Sequence, residues 1–131
     1  MRRASLVSAV IATGAMVLST LPAQAATPGV TASEIKLGIS SPLTGSAGLS
    51  YGKVPGAMKA YFSYINANGG VYGRKINLIS RDDKYLPTLA ATQTTNLVLK
   101  DNVFALVGAL GTATHSKAYK AAALAKSIRR E

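Results

Sequence analysis

The sequence predicts an α/β fold, a three-layer doubly wound parallel sheet. Three observations carry that expectation: apolar or alternating runs at residues 35–39, 76–79 and 103–107; segments of helical period after each; and short links of Gly, Pro and small polar residues between them. Strands alternating with helices over links this short are the pattern of parallel sheets with right-handed crossovers.

The first 25 residues stand apart. Met1-Arg2-Arg3 is a short basic start, residues 4–21 are uncharged, and Pro22 precedes Ala23-Gln24-Ala25, the small-x-small pattern that a signal peptidase accepts. A signal peptide is therefore expected over 1–25, with a membrane-spanning helix as the alternative. Export places the product in a periplasm or outside the cell. The chain has no Cys, so disulfides, thiolate metal sites, a cysteine nucleophile and a lipid anchor on Cys are not expected.

Residues 26–34 read as a flexible lead-in. The first strand, 35–39, alternates apolar and other residues, and a turn-rich loop over 41–52 follows it. Pro55 suits the first turn of a helix whose apolar face is expected at Ala57, Ala60, Tyr61, Tyr64 and Ile65, with Gly69-Gly70 as its stop. Residues 76–79 form the second strand, 82–86 a polar connection, and 87–100 a second helix with Leu89, Ala90, Leu97 and Val98 turned inward. The continuous apolar run 103–107 is expected as a strand buried on both faces. A small-residue loop, 108–114, leads into a third helix rich in Ala and Lys.

Fifteen Lys and Arg face five Asp and Glu, yet five of the basic residues fall in the last 15 positions. The body shows no basic stripe interleaved with aromatics, which excludes nucleic acid as the natural partner. Three strands are few for a doubly wound sheet, since both faces need helices and more sheet is expected beyond residue 107. The chain reads as a fragment or truncated product, the alternative being a complete small domain.

In such sheets ligands sit beyond the carboxyl ends of the strands, here the 41–52 and 108–115 loops. The second loop opens a helix, whose N–H groups and dipole favour an anion such as a carboxylate. Thr112 and Thr114 offer hydroxyls to that anion, or one of them caps the helix. Tyr51 offers a ring to an apolar ligand group, or packs. Phosphate-binding glycine patterns are missing, because Gly45 and Gly48 are badly spaced and Gly52-Lys53 is followed by Val54. One His and five acids at these positions assemble neither a nucleophile with its base nor a metal site, so no enzyme and no cofactor are expected.

Ile35-Lys36-Leu37-Gly38, Ser41-Pro42-Leu43-Thr44-Gly45, Tyr51-Gly52, the run from Ile65-Asn66 through Gly69-Gly70 and Gly73-Arg74-Lys75-Ile76, then Asp82-Asp83 and Gly111-Thr112-Ala113-Thr114, come in a telling order and spacing. In these residues the chain resembles the N-terminal lobe of leucine/isoleucine/valine-type solute-binding proteins, which serve branched-chain amino acid ABC transporters. The resemblance covers 35–119, and the basic tail 120–131 departs from it. It implies a hinged, two-lobed protein of the type 1 periplasmic fold, incomplete here, that binds a small amphipathic ligand and presents it to an ABC permease. It further implies that Gly111, Thr112, Ala113 and Thr114 hold the ligand carboxylate through hydroxyls and N–H groups, that Tyr51 lines the pocket, and that Asp82-Asp83 is structural first. The alternative is an inactive fragment, or a secreted interaction module without a transport role.

Overall fold

The computed structural model of the protein describes residues 26–128; the signal peptide expected over 1–25 and the last residues of the basic end, 129–131, lie outside the described residues. Three parallel strands, β1 (Glu34–Ser41), β2 (Lys75–Asp82) and β3 (Ala105–Leu106), lie in the order β2-β1-β3. Glu34 to Ser41 stand opposite Lys75 to Asp82 residue by residue, and Leu37 and Gly38 stand opposite Ala105 and Leu106. With β2 and β3 on opposite sides of β1, right-handed connections put successive helices on opposite faces. Helix α2 (Val54–Ala67) packs on β2, while α3 (Pro87–Leu99) packs on β1 and against α4 (Thr112–Ile128). The result is the expected doubly wound, three-layer parallel sheet, present in part.

The two faces of β1 show how the layers are filled. Gly38 faces α3, where its missing side chain lets the Leu97 methyls and Val103 come within 3.1–3.2 Å of where a Cβ would stand. Ile39, with no exposed surface, turns the other way, toward Met58 of α2 and Gly108. Leu97, Val98, Ala90 and Thr94 bury the inner face of α3, and Ala118 and Ala125 that of α4. Small residues on α4 allow the close approach of the two helices.

Three elements differ from expectation. The loop over 41–52 contains a one-turn helix, α1 (Gly48–Tyr51). Helix α2 turns a largely different face to the sheet: of the expected residues Ile65 is half-buried, together with Met58 and Phe62 and beside buried Pro55, while Ala57 and Ala60 are exposed and Tyr61 and Tyr64 are 62% and 65% exposed. The helix carries two apolar stripes at i, i+3, i+4 spacing, and the sheet covers only one. Last, the run 103–107 is not buried on both faces. Val103 is buried, but the strand itself spans two residues and Phe104 and Leu106 are 52% and 39% exposed, because β3 has a neighbouring strand on one side only.

The lead-in is tied to the sheet. Lys36 N–H donates to the Gly29 carbonyl at 2.8 Å, Glu34 N–H to the Thr31 hydroxyl at 2.9 Å, and Arg74 Nε–H to the Thr31 carbonyl at 2.9 Å. On the outer side of β2, the Asn66 side-chain amide both donates to the Ile76 carbonyl (2.8 Å) and accepts from the Ile76 N–H (2.7 Å). It thus fills one strand position with a side chain.

Arg81, on β2, makes a two-pronged ion pair with Asp101 after α3, at 2.7 and 2.9 Å. The guanidinium hydrogen bonds hold the Asp101 carboxyl below the usual carboxylate range, against the opposing effect of burial. A lowered folded-state pKa gives stability that is complete above about pH 4, the unfolded value, and is lost as pH falls through the folded value. Asp101→Asn is therefore expected to flatten the acid limb of a curve of Tm against pH, with little change in its shape near pH 7. An acid limb as steep as the parent's would show that the pair contributes nothing to acid sensitivity.

Candidate functional site

The loops after β1, β2 and β3 meet at one end of the sheet, and two adjacent carboxylates bind the first two together. Asp82 accepts from Leu43 N–H (2.9 Å), Thr44 N–H (3.3 Å), the Thr44 hydroxyl (2.5 Å) and Lys84 N–H (2.9 Å). Burial pushes its carboxyl up, but the Thr44 hydroxyl and the three backbone donors outweigh that and hold it below the ordinary range. Asp83, 1% exposed, accepts from the Ser40 hydroxyl and from Tyr85 N–H, both at 2.9 Å. The pair clamps the first two loops together.

Through that clamp the second loop reaches the third. Lys84 and Tyr85 take left-handed backbone angles (φ 51° and 63°), an arrangement the Asp83 bond to Tyr85 N–H supports as an Asx turn. The Tyr85 ring then lies on Gly111: a Cβ there would be 2.5 Å from the ring. Gly111 has φ +90° and stands directly before α4, so both its angle and the ring demand glycine. Gly111→Ala is expected to cost about 2 kcal/mol in urea denaturation and to displace Tyr85. A cost below about 0.5 kcal/mol would mean that the ring gives way freely.

An open depression of about 480 Å³ lies at the start of α4, lined by Ala109, Gly111, Thr112, His115 and Ser116. Thr112 is the first residue of α4 and is exposed, as is Ala113. The first intrahelical bond runs from His115 N–H to the Gly111 carbonyl at 2.8 Å, which leaves the N–H groups of the preceding turn without helical partners. Thr114 lies inside, 2% exposed, its hydroxyl turned back to the carbonyls of Leu110 and Gly111. Tyr51 ends α1 and is 45% exposed, but it is not among the residues lining this depression. Gly111 and Thr112 thus line this depression, and Ala113, Thr114 and Tyr51 do not. Tyr85 was missed from sequence, although an Asp two residues before it is the mark of such a turn.

The sequence pattern of the periplasmic binding protein family matches residues 34–127. The chain belongs to the periplasmic binding protein family. Among solved structures, it is similar to the branched-chain amino acid transporter substrate-binding protein of Streptococcus pneumoniae in complex with isoleucine, at 32% identity over 70% of this chain and 26% of that one, TM-score 0.64. It is similar also to a fatty acid ABC transporter substrate-binding protein from Thermomonospora curvata, at 34% identity over 76% and 25% of the two chains, TM-score 0.66. A possible leucine/isoleucine/valine-binding protein from Rhodopirellula baltica matches at 28% identity over 78% and 27%, TM-score 0.62. No curated protein sequence matches. This periplasmic binding protein chain spans about a quarter of the length of these solved relatives. The relatives are substrate-binding proteins. Among the described residues no helix is long and apolar enough to cross a membrane.

Proposed function

We propose that the chain is the N-terminal part of the extracytoplasmic solute-binding component of an ABC importer for branched-chain amino acids or related small amphipathic ligands. The observation that carries this is the exposed first turn of α4 behind Gly111, an anion-favouring helix start at the carboxyl end of the sheet in a chain of this family. In this reading the Thr112 hydroxyl and the N–H groups of Gly111, Thr112 and Ala113 take the ligand carboxylate. Thr114 holds the turn in shape and Tyr51 borders the ligand's apolar part. The ligand's other end falls to a second lobe, and delivery to an ABC permease. In this reading the product is exported by the signal at 1–25.

The test is a titration of ¹⁵N-labelled protein with isoleucine and, separately, with octanoate. Shifts at Thr112 and Ala113 with either ligand are expected. Thr112→Val should weaken binding about tenfold, the loss of one hydrogen bond to a charged group. Shifts with octanoate alone would move the ligand class to fatty acids, in line with the Thermomonospora relative. The second reading is a fragment without activity of its own. No shift at Thr112 or Ala113 with either ligand would establish it.

A further inference from the structure

The turn between α2 and β2 carries a side chain that the fold does not use. Val71 N–H donates to the Arg74 carbonyl at 2.8 Å, Arg74 N–H donates to the Val71 carbonyl at 3.0 Å, and Tyr72 and Gly73 between them take φ of 49° and 77°. This is the two-residue turn that Asn-Gly fills best, because both central positions are left-handed. It is braced from behind by Gly70, whose N–H donates to the Ile65 carbonyl at 2.9 Å and whose missing side chain lets the Arg74 carbonyl close in. A bulky side chain on left-handed backbone is an outlier. Yet Tyr72 is 94% exposed, so its ring adds almost no packing to offset the strain. A strained residue that packs on nothing points to a use outside the fold.

The surroundings of Tyr72 are cationic. Arg74 and Lys75 follow it, and Lys100, where α3 ends, lies at the same end of the sheet, since the helices of this fold return to the N-terminal ends of the strands. Lys75 and Lys100 are exposed, and among the described residues neither they nor Arg74 is in an ion pair. The acids at this end are engaged, Glu34 accepting from the Asn77 amide at 2.9 Å and Asp101 pairing with Arg81. An exposed tyrosine among uncompensated cations suits a bilayer interface: the ring sits at headgroup level with its hydroxyl in water, and the cations meet anionic headgroups. A soluble anionic polymer would use the cations and leave the ring idle.

We propose that this turn, with Tyr72 at its tip and Arg74, Lys75 and Lys100 around it, docks the protein on the surface of an anionic phospholipid membrane. The depression at the start of α4, at the other end of the sheet, then stays open to solvent. Residues 26–31 reach the sheet beside the same turn, where Arg74 Nε–H donates to the Thr31 carbonyl at 2.9 Å. A chain exported through a signal at 1–25 therefore leaves the membrane with this end nearest to it, although docking on an added membrane stands apart from that export reading.

The test adds bicelles of phosphatidylcholine, with or without phosphatidylglycerol and doped with a nitroxide-headgroup lipid, to the ¹⁵N-labelled full chain. Paramagnetic relaxation of the Gly73 amide is the readout, and the Thr112 amide, at the far end of the sheet, is the reference. Faster relaxation at Gly73 than at Thr112 is expected only with phosphatidylglycerol. Tyr72→Asn is expected to cut the Gly73 effect about fivefold, and Lys75→Glu about tenfold. Because Asn is the residue this turn prefers, Tyr72→Asn should leave Tm at or above the parent's, which separates lost docking from lost folding. Equal relaxation at Gly73 and Thr112 would overturn the proposal. So would the same Gly73 effect with phosphatidylcholine alone, or one that survives both variants, as it would if residues 1–25 alone held the chain to the bilayer. An effect lost in Lys75→Glu but kept in Tyr72→Asn, and displaced by soluble polyphosphate, would assign the face to anionic polymers instead.

Discussion

Leu97→Ala is expected to destabilise the protein by about 3 kcal/mol, enough to shift a urea midpoint well below the parent's. Leu97 has no exposed surface, and both of its methyls sit where Gly38 leaves room. Truncation removes buried apolar atoms and opens a cavity that neighbours cannot fill: Gly38 has no side chain, and Val103, the other wall, is stiff at its branched Cβ. A second substitution gives the check its force. Gly38→Ala is expected to hurt the parent, where its Cβ meets Leu97, and to cost less or even help in the Leu97→Ala background. Additive effects of the two changes would show that this contact is not what fastens α3 to β1.

Asp83→Ala is expected to cost about as much, roughly 3 kcal/mol, by a different route. The carboxylate lies 1% exposed between the Ser40 hydroxyl and Tyr85 N–H, and its loss strands the buried hydroxyl and takes the acceptor from the part-buried N–H. Each buried donor left without an acceptor costs about 1–3 kcal/mol. Unlike the Leu97 change, this one also frees the 83–85 turn, so the Gly111 amide should shift in the folded fraction as the Tyr85 ring moves. Asp83→Asn keeps an acceptor oxygen and is expected to lose about half as much. A Gly111 signal unmoved by Asp83→Ala would separate the clamp from the loop before α4.

What could be read from sequence was what repeats along a single element. The alternation at 35–39, the apolar run at 76–79 and the Pro and Gly punctuation placed strands and helices, because each depends on neighbours in the chain. The face of α2 could not be read this way. Tyr61 and Tyr64 are as apolar by pattern as Met58 and Phe62, and only the crossover from β1 to β2 decides which pair the sheet covers. The burial of 103–107 failed for a related reason, since a strand's two faces and two edges are supplied by residues distant in sequence. At the candidate site, the small-residue loop that leads into α4 was legible from its place ahead of a helix, whereas Gly111 was singled out only through the resemblance. Tyr85 was not, because its position comes from Asp83 behind it and Gly111 ahead of it, some 26 residues on.

The Asn66 side chain at Ile76 bears on assembly. A sheet with two open sides can grow without end, each molecule offering an acceptor for the next, and that is the geometry of a fibre. The side that carries Asn66 is blocked at Ile76, where an incoming strand would find both backbone groups already taken. Two hydrogen bonds from one amide thus deny a further strand its pairing at Ile76 on that side of the sheet.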